Sequence, residues 1–264
     1  MGAQISTDAE LAMEHMEYRK AGPNRMIDFS IIFPSRDHED LLLKLFVSLS
    51  RNTAHLEKIE VLVAIDEDDP NMESFTKRYS FTFVKFFKTK RSLNFSRDYY
   101  TFLFKQSRGR WIIACNDDAE FITPQWDITA RDMLESYIKG GPNIVYGWIE
   151  DMLGKNRLTQ FGQYCCFPLI GRDGIIASGY VFPHDIPTWG ADIWIEQLYR
   201  NIGRIIQLPI VIKHVSIHNG LRQPDAIHYR IAANQVPVNQ NPRPDQINVL
   251  IAALRAPYKE PANA

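Results

Sequence analysis

Gly109-Arg110-Trp111-Ile112-Ile113-Ala114-Cys115-Asn116-Asp117-Asp118 is the stretch whose reading decides the fold of this chain. The run Trp111 to Cys115 is short and unbrokenly apolar, which suits a strand covered on both faces, and Gly109 stops the helix that precedes it. Two adjacent carboxylates stand where that strand would emerge into a crevice. Carboxylates so placed can hold a hard cation such as Mg²⁺ or Mn²⁺ against the oxygens of a departing diphosphate. An acidic turn that only ends a strand has the same letters, so the weight falls on what surrounds the triplet.

Upstream, the same grammar repeats. After a charged, weakly helical lead-in over Thr7 to Lys20, Asp28 to Phe33 reads as a buried strand passing through Pro34-Ser35-Arg36 into a helix. That helix carries Leu42, Leu45, Phe46 and Leu49 on one stripe, with Asp37, Glu39 and Asp40 at its positive end. Ile59 to Ile65 is a second buried strand that stops at Asp66-Glu67-Asp68-Asp69, and Pro70 then suits the first position of a helix. Phe81 to Phe87 is a third strand, followed by Ser92 as N-cap of a helix with Phe95, Tyr99, Phe102 and Leu103 on one face. Strands alternating with helices at this spacing predict βαβ crossovers and a mainly parallel sheet. Ligands bind such sheets at the carboxyl ends of the strands, and Ser35, Arg36, Asp66, Asp117 and Asp118 all fall there.

Downstream, Thr123-Pro124 opens a helix that runs to Gly140. Ile144 to Trp148, Gln163 to Ile170 and Ile175 to Val181 read as strands, the last two joined as a hairpin through Gly171-Arg172-Asp173-Gly174. Trp189-Gly190 then admits a helix with Ala191, Ile195, Leu198 and Ile202 on one side and Asp192 in its first turn, where a carboxylate also complements the helix dipole. A strand over Ile205 to Ile212 leads to His214 and His218, which share a face if the strand continues. The remainder reads as a wrapping tail with one short helix, Gln246 to Leu254.

Bulk properties narrow the classes. A chain of 264 residues that is 45% hydrophobic can bury a substantial core. A formal net charge of −1 provides no electrostatic footprint for nucleic acid. Cys115, Cys165 and Cys166 cannot all pair, so reduced thiols are expected. No run approaches the length of a membrane span, so a cytoplasmic protein is expected, with attachment at a membrane periphery left open.

Four segments in order, Phe29 to Arg36, Val61 to Asp66, Gly109 to Asp118 and Trp189 to Asp192, resemble the GT-A glycosyltransferases of the family 2 type, over about Asp28 to His218. The resemblance implies a three-layer α/β sandwich with a mainly parallel central sheet and a smaller mixed sheet on the acceptor side. It implies a catalytic domain over 26–220, whose nucleotide-sugar half ends near 120, with 1–25 as an appendage and 221–264 as the tail. It further implies that a sugar moves from a nucleotide-sugar, UDP- or dTDP-linked, to a hydroxyl of a glycan or carrier.

In that reading Pro34, Ser35 and Arg36 line the nucleotide pocket, Asp66 accepts from the imide N–H of a uracil-like base, and Arg91 or Arg97 reaches base or diphosphate. Asn116 and Asp117 contact ribose or metal water. Asp118 holds the divalent cation, Mn²⁺ or Mg²⁺, and His214 or His218 completes its shell. Asp192 is the base of an inverting displacement, beside Trp189 and Gly190 on the acceptor side. Three departures stand out: Asn-Asp-Asp replaces the usual Asp-x-Asp, Ala191 replaces an acid, and Glu196 competes with Asp192 one turn later. A retaining transferase on the same fold, a nucleotidyltransferase and a non-catalytic nucleotide- or glycan-binding module are the alternatives. The nucleotidyltransferase lacks its glycine-rich loop after the first strand.

Overall fold

Continuous apolar strands need cover on both faces, and the second strand shows that cover: all eight residues of β2 (Ile59–Asp66) are buried. The computed structural model describes residues 26–152, 164–216, 220–233 and 241–257. The lead-in 1–25, Gln163 and His218 lie outside them. The strands are β1 (Phe29–Ser35), β2, β3 (Val84–Thr89), β4 (Trp111–Ala114), β5 (Ala119–Phe121), β6 (Tyr146–Glu150), β7 (Leu169–Gly171) and β8 (Ile205–His214). They lie in the order β3-β2-β1-β4-β7-β6-β8-β5. The half β3-β2-β1-β4 is wholly parallel, while in the other half only β6 and β8 run parallel.

The helices are α1 (Glu39–Asn52), α2 (Pro70–Arg78), α3 (Phe102–Gln106, entered through π-helical turns over Ser96–Thr101), α4 (Trp126–Ile138), α5 (Arg172–Ser178), α6 (Ala191–Asn201), α7 (Ala226–Ala233) and α8 (Pro244–Arg255). On α1 the stripe Leu42, Leu45, Phe46 and Leu49 is fully buried. Phe46 sits among Phe75, Phe81, Phe83 and Phe86, with ring centroids 4.9–6.4 Å away. Truncating such a ring to Ala costs about 3–5 kcal/mol. Pro70 occupies the first turn of α2, and Asp69 caps it through Asn71 and Met72 N–H groups.

Gly109 fixes the entry to β4. A Cβ there would lie 2.4 Å from the backbone nitrogen of Ser30, so only glycine lets the loop press onto β1.

Several local expectations fail for visible reasons. The hairpin through Gly171 to Gly174 is absent: Gly171 ends β7, and Arg172–Ser178 is helix α5, whose Gly174 makes room for the Tyr199 hydroxyl. The apolar run Ile175-Ile176-Ala177 suits a strand or a buried helical turn equally, and tertiary packing chose the helix. Thr123 does not cap α4; its hydroxyl accepts from Val211 N–H of β8 at 2.8 Å, and the helix starts after Gln125, whose φ is 53°. Phe81 and Phe83 plug the core before β3 begins, so the expected third strand shifts toward Thr89. Helix α7 was not expected at all.

Candidate active site

The carboxyl ends of β1, β2 and β4 converge because the parallel register sets Ser35 beside Ile65 and Ile32 beside Ala114. Together with the first turn of α6 and the end of β8 they wall a cleft of about 310 Å³. Pro34, Ser35, Arg36, Asp66, Arg91, Asn116, Asp117, Asp118, Trp189, Asp192 and His214 all line it. Arg97 does not: its side chain is 59% exposed and ion-paired to Asp98. Gly190 stays out of the lining and instead turns the chain, with φ of 91°, just before α6.

Asp66 is the hub of one wall. It is buried, accepts from the Tyr99 hydroxyl at 2.5 Å and from Arg36 at 3.1 Å, and has Arg91 at 3.9 Å. Burial, and then the hydrogen bond to Asp66, push the Tyr99 phenol well above its ordinary range, so it remains a donor. Its neighbour Tyr100 is buried and also held protonated; its hydroxyl lies 2.8 Å from the Cys115 carbonyl and 3.0 Å from Asn116 Oδ1. Adjacent tyrosines reach two different strand ends here because the chain passes them in π-helical turns, which recur at functional sites. The Cys115 thiol is buried and pushed up by desolvation, which makes it inert.

The metal-type corner lies across β4. Asp117 accepts from Ser35 Oγ and His38 Nδ1, both at 2.7 Å. Asp118 Oδ1 is buried and accepts no hydrogen bond among the described residues, and it stands 3.3 Å from His214 Nε2. A carboxylate oxygen awaiting a partner beside an imidazole is a donor set that suits a divalent cation. Arg222 approaches the other oxygen of Asp118 at 3.7 Å and also bonds Asp225, which lies 3.0 Å from His38 Nε2. Thus the segment before α7 is tied to both β1 and β4.

Asp192 and Glu196 separate cleanly. Asp192 lines the cleft and accepts from Ile193 N–H at 2.9 Å. Glu196 is 2% exposed, outside the lining, and committed to the Cys165 N–H at 3.0 Å and to Arg200. Trp189 is 37% exposed, with the His228 ring 5.2 Å away and Tyr229 beyond it.

Solved structures with a similar fold carry nucleotide or nucleotide-sugar ligands. S. aureus TarS 1-349 in complex with UDP-GlcNAc superposes with a TM-score of 0.55 at 15% identity, over 78% of this chain and 64% of that one. The mannosyltransferase PcManGT from Pyrobaculum calidifontis, in complex with GDP-Man and Mn²⁺, gives 0.53 at 15% identity, over 81% and 67%. GalNAc-T7 with UDP, GalNAc and Mn²⁺ gives 0.52 at 13% identity, over 72% and 43%. This chain has a GT-A fold. It spans between 43% and 67% of the length of those three chains. No protein-family model and no curated protein matches the sequence. The described residues include no helix long and apolar enough to cross a membrane.

His38, Tyr99, Tyr100, Arg222 and Asp225 are cleft residues that sequence reasoning missed. For His38 a signal existed: it stands two residues past Arg36, still in the loop after β1. The sequence places Tyr99 on a helix face, and nothing local marks Arg222 or Asp225.

Proposed function

We propose that this GT-A chain is a metal-dependent glycosyltransferase, moving a sugar from a UDP- or dTDP-linked donor to a hydroxyl of a glycan or glycosylated carrier. One observation carries the reading: Asp66, Asp117, Asp118, His214 and Asp192, far apart in sequence, line one cleft at the strand ends. The ligands named in the structures of TarS, PcManGT and GalNAc-T7 support it.

The base of the donor lies by Asp66, whose carboxylate accepts its imide N–H, with Pro34, Ser35, Arg36 and Arg91 around it. Asn116 and Asp117 meet the ribose. Asp118 and His214 would hold a divalent cation, which when bound would neutralise charge on the leaving diphosphate. Asp192 takes the proton of the acceptor hydroxyl as that oxygen attacks the anomeric carbon, and a single displacement inverts the configuration. Ala191 in place of an acid leaves Asp192 as the carboxylate of this turn that faces the cleft. Trp189 offers the acceptor ring an apolar face. Residues 26–220 would be the catalytic part, and Arg222 and Asp225, at the start of the tail, are joined to it through His38.

A second reading, nucleotide binding without turnover, draws on Arg222, a cation already beside Asp118. Two measurements decide. The expected outcomes are that UDP with Mn²⁺ raises the unfolding midpoint and that nucleotide-sugars are slowly hydrolysed in the absence of acceptor. No stabilisation by UDP, Mn²⁺ or both sinks the transferase reading; stabilisation without any hydrolysis or transfer favours the binding module.

A further inference from the structure

Three side chains, two of them in the cleft wall, bring metal-binding atoms together: one ligand atom each from Asp151, Cys166 and His214 lies within 4.8 Å of the others. The backbone enforces this meeting. His214 ends β8, and its N–H donates to the Asp151 carbonyl at 3.2 Å, just beyond the end of β6. Cys165 and Cys166 differ in burial, Cys165 being buried and Cys166 partly exposed in a bend before β7. Cys165 is fully buried, its sulfur accepting from Ile149 N–H at 3.4 Å and its own N–H held by Glu196. That leaves Cys166 turned to the cleft, whose wall it joins.

We propose that Asp151, Cys166 and His214 form a transition-metal site of mixed oxygen, sulfur and nitrogen donors, selective for Zn²⁺ or Co²⁺ over Mg²⁺. Tetrahedral coordination at the usual Zn–S, Zn–N and Zn–O lengths sets these ligand atoms about 3.3–3.6 Å apart, which the observed group, within 4.8 Å, reaches by contraction. Thiolate and imidazole favour these softer ions, whereas Mg²⁺ prefers oxygen throughout. Coordination converts the Cys166 thiol to a thiolate and releases its proton to solvent. Since His214 also lies 3.3 Å from Asp118, an ion held by Cys166 either shares Asp118 or competes with it for the imidazole. Neither case requires a nucleotide-sugar, so the site can be tested without one, although His214 is common to it and to the proposed donor cation.

Metal-stripped, reduced full-length chain is titrated with Co²⁺ in the absence of nucleotide. The expected result is a near-ultraviolet thiolate-to-cobalt charge-transfer band with the intense visible bands of tetrahedral cobalt, unaffected by excess Mg²⁺. Cys166→Ser loses the charge-transfer band, and Asp151→Asn weakens binding by at least about tenfold. A wild-type chain without that band, a band surviving in Cys166→Ser, or one abolished by Mg²⁺ overturns the proposal. Alkylation of wild-type Cys166, read by mass spectrometry, requires no variant to fold: protection by Zn²⁺ but not Mg²⁺ supports the site, and equal labelling refutes it. UDP binding by the same wild-type preparation in Mg²⁺ reports on the donor reading separately, so the two can fail independently.

Discussion

Replacing Asp66 with Asn separates a structural counter-ion from a base-reading group. A carboxylate offers about four acceptor positions, and here Tyr99 and Arg36 take two while Arg91 stands 3.9 Å away, which leaves room for an incoming base. In Asp66→Asn the amide oxygen must stay toward the two guanidinium groups, because an NH₂ there would face donors. The NH₂ then turns to Tyr99, whose hydroxyl can accept. Arg36 keeps Asp68 as a partner, so the fold loses one charge-assisted hydrogen bond rather than a whole network. That is worth about 1.5–3 kcal/mol, a fall of about 3–12 °C in unfolding midpoint for a chain of this size. A bound uracil N–H loses its anionic acceptor at similar cost, so the UDP dissociation constant rises about 10- to 100-fold by calorimetry. Tyr99→Phe is the control: it removes the structural bond at about 1 kcal/mol and leaves UDP affinity within about threefold. If Asp66→Asn unfolds earlier yet binds UDP as tightly as the wild type, the carboxylate serves the fold only.

The other perturbations bear on chemistry and stability in turn. Asp192→Asn keeps the Ile193 N–H contact through its amide oxygen and is expected to lower the transfer rate by about 10²–10⁴-fold with UDP binding intact, whereas transfer within tenfold of wild type removes Asp192 from the base role. Glu196→Gln weakens the contacts to Cys165 and Arg200 and is expected to destabilise the chain by about 1–3 kcal/mol while the folded protein still transfers; loss of transfer without loss of stability reverses the two assignments. Trp189→Ala raises the acceptor KM about 2- to 10-fold and leaves UDP binding unchanged, and an unaltered KM moves the acceptor platform elsewhere. For Glu60, burial opposes ionisation, but the Arg108 N–H, the Ser30 hydroxyl and the charges of Lys85 and Arg108 outweigh it and hold the group below its ordinary 4.5. The depressed value means its stabilisation is present above that pH and lost as the pH falls through the folded value, so denaturant unfolding of Glu60→Gln must show a flatter acid limb than wild type.

How much of this was legible in sequence follows from how local each signal is. The run Ile59 to Ile65 needed no partner to be recognised, since an apolar run ending in acids marks a doubly covered strand wherever it packs, and β2 is buried throughout. The stripe on α1 was legible for the same reason. The run Ile175 to Val181 was not: three apolar residues in a row carry no period, and the contact that settles them, Tyr199 over Gly174, comes from a helix twenty-five residues away. Thr123-Pro124 failed because its hydroxyl had a competing partner on β8, a strand not adjacent in sequence.

The same distinction explains why one side of the cleft was found and the other was not. Asp66, Asp117 and Asp118 sit at strand ends, and strand ends announce themselves, so their convergence follows from topology alone. His38, Arg222 and Asp225 matter only through one another: Asp225 lies 3.0 Å from a ring whose other nitrogen bonds Asp117, although 187 residues separate it from His38. A contact of that span leaves no trace in spacing or composition, because β2 to β8 lie between the two residues and only the folded sheet brings them together. It follows that the tail's hold on the cleft is a testable addition to the motif-based reading. His38→Ala removes the joint between Asp117 and Asp225 while sparing every strand-end carboxylate, and amide exchange over 221–233 should accelerate in that variant and slow when UDP binds the wild type. Exchange there that ignores both His38 and UDP would leave the tail as cover for the sheet, with no part in holding the donor.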